Sequence, residues 1–162
     1  MIGKRIQDAI NDQIQAEMFS SYLYLSMSAY FHSINMGGMA NWMKVQAQEE
    51  NGHAMKFFQH VIDRGGRIEL MKMDKPKTDW ASPLEAFQDA YKHEQYITER
   101  INNLVKIAME ETDNPASIIL QWFVNEQVEE EANTSKIVER LERVGESPNG
   151  LFMLDSHLGE RK

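Results

Sequence analysis

The chain has 162 residues, of which 42% are hydrophobic and none is cysteine, and its formal net charge at pH 7 is −8. This length predicts one domain over residues 1–162, and the absence of cysteine excludes disulfides, thiolate zinc sites, iron–sulfur clusters and a cysteine nucleophile. The negative charge argues against nucleic acid and anionic lipid as partners, because both require basic surfaces. Cations are the expected partners.

Neither a membrane span nor an export signal is expected. The longest stretch between charged residues, from Met18 to Lys44, is interrupted by serine, histidine, asparagine and glycine, whereas a membrane-spanning helix needs about 20 predominantly apolar residues. Residues 1–12 are charged and amphipathic, without the apolar segment and small-residue cleavage site of a signal peptide. A cytoplasmic location is therefore predicted.

The first half of the chain predicts a pair of antiparallel helices. Apolar residues recur at helical spacing from about residue 6 to residue 31, without proline or glycine. Gly37 and Gly38 are expected to break this pattern. A second helical run then ends at Gly65 and Gly66, where glycine suits a helix C-terminus.

The second half predicts another helix pair, reached through a long loop over residues 65–81. Ser82 and Glu85, with a proline between them, have the spacing of a capping box and mark the start of a third helix that ends near residue 111. Pro115 marks the start of a fourth helix, which continues to Val144. A short apolar stretch over residues 151–158 predicts a fifth helix.

These elements together predict an all-α fold with no sheet. Four long helices connected by a short, a long and a short loop form an up-down-down-up bundle, in which the long connection is a crossover. The predicted fold class is therefore an all-α four-helix bundle with one long crossover connection and a short fifth C-terminal helix.

One set of potential ligands occurs twice at a constant offset of 77 positions. Residues on the first and second helices recur on the third and fourth helices: Glu17 as Glu94, Glu49 as Glu126, Glu50 as Gln127, and His53 as Glu130. Two similar helix pairs that pack face to face would bring both sets to a shared centre. This repeat predicts a dinuclear metal site.

The acids of this set interrupt apolar stripes on their helices. A single glutamate on a helix is ordinarily solvated, but four in register on apolar faces are not expected at the surface. An unpaired buried carboxylate costs several kcal/mol or becomes protonated, and no lysine or arginine shares these faces, so a bound cation is the simplest compensation. Glu50 and His53 form a Glu-x-x-His pair, which is typical of di-iron and di-manganese helical bundles.

Two further features leave alternatives open. Glu49, Glu126 and Glu129 flank the proposed centre and form either an accessory cation site or part of an ordinary solvated acidic surface. Tyr24 lies two turns from Glu17 on the same face. It is either a core residue that needs one hydrogen-bond partner or a source of an electron or proton beside the metals.

The chain resembles the non-haem ferritins of bacteria and archaea over essentially its full length, and the segments that carry the resemblance are residues 12–17, 20–24, 46–54, 91–94 and 122–131. The resemblance implies a ferroxidase centre with one iron at Glu17, Glu50 and His53, a second at Glu50, Glu94 and Glu130, and Gln127 as a nearby polar partner. It also implies a third iron site at Glu49, Glu126, Glu129 and Glu130, and a tyrosine beside the centre at Tyr24.

The resemblance further implies a hollow shell of 24 identical subunits that stores hydrated ferric oxide. At two places the sequence differs from related kinds of ferritin. Asn51 stands where bacterioferritins have a haem-ligating methionine, so haem is not expected. Ser117 and Leu120 stand where animal ferritins place the acids of their three-fold pore.

The leading hypothesis is therefore iron storage with ferroxidase activity, in which Fe(II) is oxidised by O2 or hydrogen peroxide. A di-metal peroxidase or oxygenase that acts on another substrate is the enzymatic alternative. The non-enzymatic alternative is a metal-buffering helical assembly without catalysis.

Overall fold

The computed structural model describes every residue from 1 to 162 and contains five helices and no strand. In chain order the helices are α1 (Lys4–Ser33), α2 (Gly37–Asp63), α3 (Pro83–Glu110), α4 (Asn114–Val144) and α5 (Pro148–Leu158). The predicted fold class is confirmed. No helix combines the length and the apolar character that a membrane span requires.

The long connection between α2 and α3 lies along α1. The Asn11 side chain donates to the carbonyl of Arg67 at 3.0 Å, and the Ser26 hydroxyl donates to the carbonyl of Lys77 at 2.6 Å. Because Asn11 and Ser26 are about four turns apart on α1, the connection crosses much of the bundle length. It therefore returns the chain to the end at which α2 began, as the crossover prediction requires.

Side-chain caps define where three of the helices begin. The backbone N–H of Glu85 donates to the Ser82 hydroxyl at 3.1 Å, and the Glu85 carboxylate accepts from the backbone N–H of Ala81, so the capping box is present. Asp113 caps α4 and Ser147 caps α5 in the same way, each accepting a backbone N–H three residues later. Each such cap contributes about 1 kcal/mol.

The predicted break between α1 and α2 is present at residues 34–36, immediately before Gly37 and Gly38, which are the first two residues of α2. The chain reverses through Asn35, whose φ of 60° is a left-handed conformation that asparagine tolerates better than most residues. Gly38 has a different role. A Cβ atom at this position would collide with the backbone carbonyl of Asp155, so glycine allows α5 to pack directly on α2.

Two apolar clusters fill the bundle, one toward each end. One contains Ile14, Phe57, Ile97 and Phe123, and the other contains Tyr24, Phe31, Met43, Phe87 and Ile137. On each of the four long helices, the predicted ligands lie between the residues of the two clusters. All four long helices contribute to both clusters, which supports the proposal that residues 1–162 form one domain.

Candidate metal centre

A layer of polar side chains crosses the middle of the bundle between the two apolar clusters. Each of these side chains is at most 4% exposed although most carry a carboxyl group. α1 contributes Glu17 and Tyr24, α2 contributes Glu50 and His53, α3 contributes Glu94, and α4 contributes Gln127 and Glu130. These residues are placed in one layer because their positions lie near the middle of each helix.

The structure brings the predicted ligands into two adjoining groups. In the first, one side-chain ligand atom each from Glu17, Glu50 and His53 lies within 4.8 Å of the others, and in the second the same holds for Glu50, Glu94 and Glu130. Glu50 belongs to both groups. The arrangement therefore offers two neighbouring cation positions that share one carboxylate.

The accessory acids are only partly assembled. Glu126 and Glu130 form a third group with His53 within the same 4.8 Å limit. Glu49 belongs to none of these groups, and its carboxylate instead accepts a hydrogen bond from Arg161 at 2.6 Å. Glu129 is exposed on α4 and also stands outside the groups.

Each buried carboxylate receives a hydrogen bond from a glutamine amide. Gln13 donates to Glu17 at 2.7 Å, and Gln46 donates to Glu50 at 2.7 Å and to Glu130 at 2.9 Å. On the other side of the centre, Gln127 donates to Glu94 at 3.1 Å. The sequence reasoning did not single out Gln13 or Gln46. The sequence nevertheless indicates both glutamines, since each lies four residues before a buried glutamate on the same helix face.

Tyr24 and His53 complete the layer. The Tyr24 hydroxyl donates to Glu94, and burial, followed by the charge of Glu94, raises the pKa of Tyr24 well above its usual value, so the hydroxyl keeps its proton. The two ring nitrogens of His53 face carboxylates on opposite sides, with Nδ1 3.0 Å from Glu50 and Nε2 3.6 Å from Glu126. The imidazole thus lies between the first group and the third.

The electrostatics of the layer favour a bound cation. The pKa is raised from 4.5 to about 8 for four residues: Glu17, Glu50, Glu94 and Glu130. Burial is the largest cause of each shift, and the charge of a neighbouring carboxylate is the next. No lysine or arginine forms an ion pair with any of the four. Cations at these positions would supply the missing positive charge and displace the protons.

One of the two buried side-chain atoms without a hydrogen-bond partner lies at the first group, and it supports a bound metal there. The Oε2 atom of Glu17 is fully buried and has no hydrogen-bond partner, and such an atom costs about 1–3 kcal/mol unless something binds it. A cation held by Glu17, Glu50 and His53 would satisfy it. Carboxylate oxygens with one imidazole nitrogen suit iron, manganese or zinc.

Comparisons with known proteins identify the family to which the chain belongs. The family model of the ferritin-like domain matches residues 7–144. A protein named bacterial non-heme ferritin from Bacteroides fragilis is 46% identical over 99% of this chain and 100% of its own length, and one of the same name from Staphylococcus aureus is 37% identical over 99% and 97%. The chain belongs to the ferritin family, and its function is iron storage.

Solved structures from the archaeon Archaeoglobus fulgidus are similar over the whole chain. An open pore ferritin from this organism superimposes with a TM-score of 0.98 at 49% identity, covering 99% of this chain and 98% of its own. A closed form engineered from it gives a TM-score of 0.99 at 49% identity, covering 100% and 99%. The iron-binding character of the family is consistent with the carboxylate groups described above.

Proposed function

We propose that the buried polar layer is a ferroxidase centre that takes two ferrous ions as substrate. The observation that carries this proposal is the pair of ligand groups that share Glu50. Two metal positions joined by one carboxylate suit a reaction in which two one-electron donors act on one two-electron acceptor. Mineralisation then requires that the ferric product leave the centre for storage.

The residues have distinct proposed roles. Glu17, Glu50 and His53 hold one ferrous ion, and Glu50, Glu94 and Glu130 hold the second. Gln127 is a polar partner that donates to Glu94 rather than a direct ligand in this arrangement. The carboxyl groups release their protons as the cations bind, and anionic oxygen ligands favour Fe(III) over Fe(II), which supports oxidation at this centre.

The proposed reaction balances with either oxidant. Two Fe(II) ions each lose one electron, and O2 takes up two electrons and two protons to give hydrogen peroxide. With hydrogen peroxide as oxidant, the same two electrons and two protons give two molecules of water. Tyr24 is proposed to pass one of these electrons or protons to the oxidant and to be restored by the Fe(II) or the solvent that supplies it, since its protonated hydroxyl donates to Glu94.

A third iron position is proposed beside this centre. His53, Glu126 and Glu130 supply the assembled part of it, and Glu49 and Glu129 complete the ligand set of the sequence prediction. Glu130 belongs to both the second group and this one. Iron at this position would lie on a path that leaves the di-iron centre.

We further propose that the chain assembles as a homo-oligomer, in the form of a shell of 24 subunits that holds ferric oxyhydroxide. The support is the exposure of large apolar side chains on the bundle: Leu70, Met109, Ile118, Val128, Phe152 and Met153 are each between 66% and 76% exposed. Apolar exposure on this scale marks surfaces that contact other chains. The cytoplasmic location and the absence of haem stay predictions.

The test is a comparison of ferrous oxidation rates. The double variant Glu17→Ala/Glu94→Ala removes one ligand from each group, so the initial rate of Fe(II) oxidation should fall at least about 100-fold, towards the rate without protein. Glu99→Ala is the matched control, because Glu99 is exposed on the same helix as Glu94. An unchanged rate in the double variant would overturn the proposed centre.

Assembly is tested separately by size-exclusion chromatography of the purified protein with iron. A particle of several hundred kilodaltons that retains iron supports the shell. A stable monomer of 18.8 kDa would contradict it.

A further inference from the structure

A hydrogen-bonded chain connects the outer side of the bundle with the metal centre. Nε of Arg100 donates to Oε1 of Gln13 at 3.0 Å, and Nε2 of Gln13 donates to Oε1 of Glu17 at 2.7 Å. Gln13 is 1% exposed, whereas the side chain of Arg100 is 23% exposed. Gln13 therefore separates a solvent-accessible cation from a buried carboxylate.

The chemistry of the two outer groups fixes the orientation of the amide between them. A guanidinium has donors only, whereas a side-chain amide has an acceptor oxygen at one end and a donor NH2 at the other. Arg100 can therefore bind only the oxygen of Gln13. The NH2 group must then face Glu17, where it donates to Oε1 and leaves Oε2, the unpartnered atom, for a cation.

Arg100 is itself held in place by three further contacts. Its Nη2 atom donates to the Asp12 carboxylate at 2.9 Å and to the Asp12 carbonyl at 3.2 Å, and its Nη1 atom donates to the Tyr96 hydroxyl at 3.1 Å. These partners lie on α1 and α3, so the guanidinium bridges the two helices. A side chain with this many partners is a fixed support for the amide.

The equivalent glutamine on α2 has no such support. Gln46 donates to Glu50 and Glu130, but its own Oε1 atom is buried and has no hydrogen-bond partner. Both glutamines thus donate to a buried carboxylate, but only the oxygen of Gln13 accepts a hydrogen bond in turn. The difference concerns only the Glu17 side of the centre.

We propose that Arg100 is a positioning residue that acts through Gln13 on Glu17, and thereby sets the cation affinity of the Glu17–Glu50–His53 position. The proposal rests on the proposed function, because it assumes that this position binds metal. Groups that orient a ligand typically change metal affinity by about 10- to 100-fold when they are removed. The position formed by Glu50, Glu94 and Glu130 shares Glu50 with the first position but receives no hydrogen bond from Arg100 or Gln13, and it should keep its affinity.

The experiment is a calorimetric titration of the metal-free, full-length protein with Zn(II), which needs no oxidant and no turnover. Glu17→Ala and Glu94→Ala are reference variants, since Glu17 belongs only to the first position and Glu94 only to the second. Each identifies the binding class that its position produces. Arg100→Leu and Gln13→Leu should each bind Zn(II) about 10- to 100-fold more weakly in the class that is lost in Glu17→Ala.

A double-mutant cycle separates positioning from a general structural effect. If Arg100 acts through Gln13, the double variant Arg100→Leu/Gln13→Leu should bind no more weakly than Gln13→Leu alone. Arg100→Lys keeps the charge without the planar fork and should give a smaller loss in the same class. Asp12→Asn removes one ion pair that holds Arg100 but leaves the bond of Arg100 to Gln13, so its loss in this class should be smaller than that of Arg100→Leu.

The outcomes are distinct. Three results would overturn the positioning role while leaving the proposed centre intact. They are additive losses of Zn(II) affinity in the double variant, equal losses of affinity in both binding classes, and an unchanged isotherm in folded Arg100→Leu or Arg100→Lys. Failure of the unaltered protein to bind Zn(II) or anaerobic Fe(II) at either position would overturn the proposed function and this role with it. A thermal unfolding curve for each variant shows that the protein measured is folded.

Discussion

The guanidinium of Arg161 lies 2.6 Å from the carboxylate of Glu49 and holds it at the C-terminal segment. Arg161 also lies over the ring of Trp42, 4.4 Å from its centroid, and its carbonyl accepts a hydrogen bond from Asn41 at 2.9 Å. α2 therefore carries both proposed metal ligands and the surface on which the segment after α5 is fixed. Glu49 has to leave Arg161 before it can join a cation at the proposed third position.

Removing this ion pair should strengthen the third position. In Arg161→Gln, Glu49 no longer has a competing cation, so Zn(II) should bind there up to about fivefold more tightly, because a partly exposed ion pair contributes about 0.2–1 kcal/mol. The measurement is the Zn(II) binding class that is lost in Glu126→Ala, because Glu126 belongs only to this position. Lys162→Gln, which changes the neighbouring charge without touching Glu49, should leave this class unchanged, and an unaltered or weaker class in Arg161→Gln would contradict the prediction.

The metal-free protein should lose stability as the pH rises from 5 to 8.5. The pKa values of Glu17, Glu50, Glu94 and Glu130 are raised from 4.5 to about 8, chiefly by burial. Between these values the folded state binds protons that the unfolded chain has released, so the free energy of unfolding falls with increasing pH. The contribution is fully present below about pH 4.5 and is lost as the pH passes about 8.

Thermal unfolding of the metal-free protein at several pH values tests this prediction. Glu94→Gln removes one of the titrating groups and should flatten the pH dependence by on the order of 1–3 kcal/mol across the window. Zn(II) should restore stability most at pH 8, where the carboxylates bind it without competition from protons. The prediction would be contradicted by an unfolding temperature that rises from pH 5 to pH 8.5. It would also be contradicted if stability depended on pH as steeply in Glu94→Gln as in the unaltered protein.

Two glycines of α2 should respond in opposite directions to alanine. Gly38→Ala places a methyl group against the backbone of Asp155, so α5 should detach from α2 and the unfolding midpoint should fall. Gly52→Ala adds a methyl group where there is open space, and alanine is favoured over glycine in a helix by about 1 kcal/mol, so the midpoint should rise. Thermal unfolding of both variants is the measurement, and changes of the same sign would count against the close packing of α5.

Tyr24→Phe should weaken metal binding at the position that contains Glu94. Phenylalanine keeps the packing of this fully buried ring but removes the hydroxyl that donates to Glu94. Loss of such a ligand-orienting group predicts about tenfold weaker Zn(II) binding in that class. Tyr30→Phe is the control, since the Tyr30 side chain packs in the core away from the site; equal isotherms for the two variants would show that the Tyr24 hydroxyl does not support the site.

The repeated ligand pattern explains why so much of the candidate site was predictable. A helix places residues three, four and seven positions apart on one face, so the sequence shows that Glu17 and Glu50 share faces with apolar residues and must be buried with them. The structure confirms this burial. The same local rule revealed the capping box of Ser82 and Glu85, which depends only on neighbours along the chain.

Contacts between distant segments were not predictable in this way. Arg100 lies 87 positions from Gln13, and Arg161 lies 112 positions from Glu49. No periodicity links such pairs, because their proximity depends on how the helices are rotated about their axes and where the chain after α5 is fixed. The role of Gly38 belongs to the same class, since the neighbour that excludes a Cβ atom is Asp155.

The sequence by itself determined the helices, their order, the burial of the four glutamates and the need for a positive charge among them. All of these follow from local periodicity and from the high free energy of an uncompensated buried carboxylate. Only the tertiary structure decided which oxygen atoms are available to a cation, because hydrogen bonds from Gln13, Gln46 and Gln127 occupy some of them and leave Glu17 Oε2 free. The spacing of four residues places Gln13 and Gln46 beside Glu17 and Glu50, but the orientation of each amide depends on partners from other helices, such as Arg100 for Gln13. That packing leaves no trace in the spacing of residues along the chain.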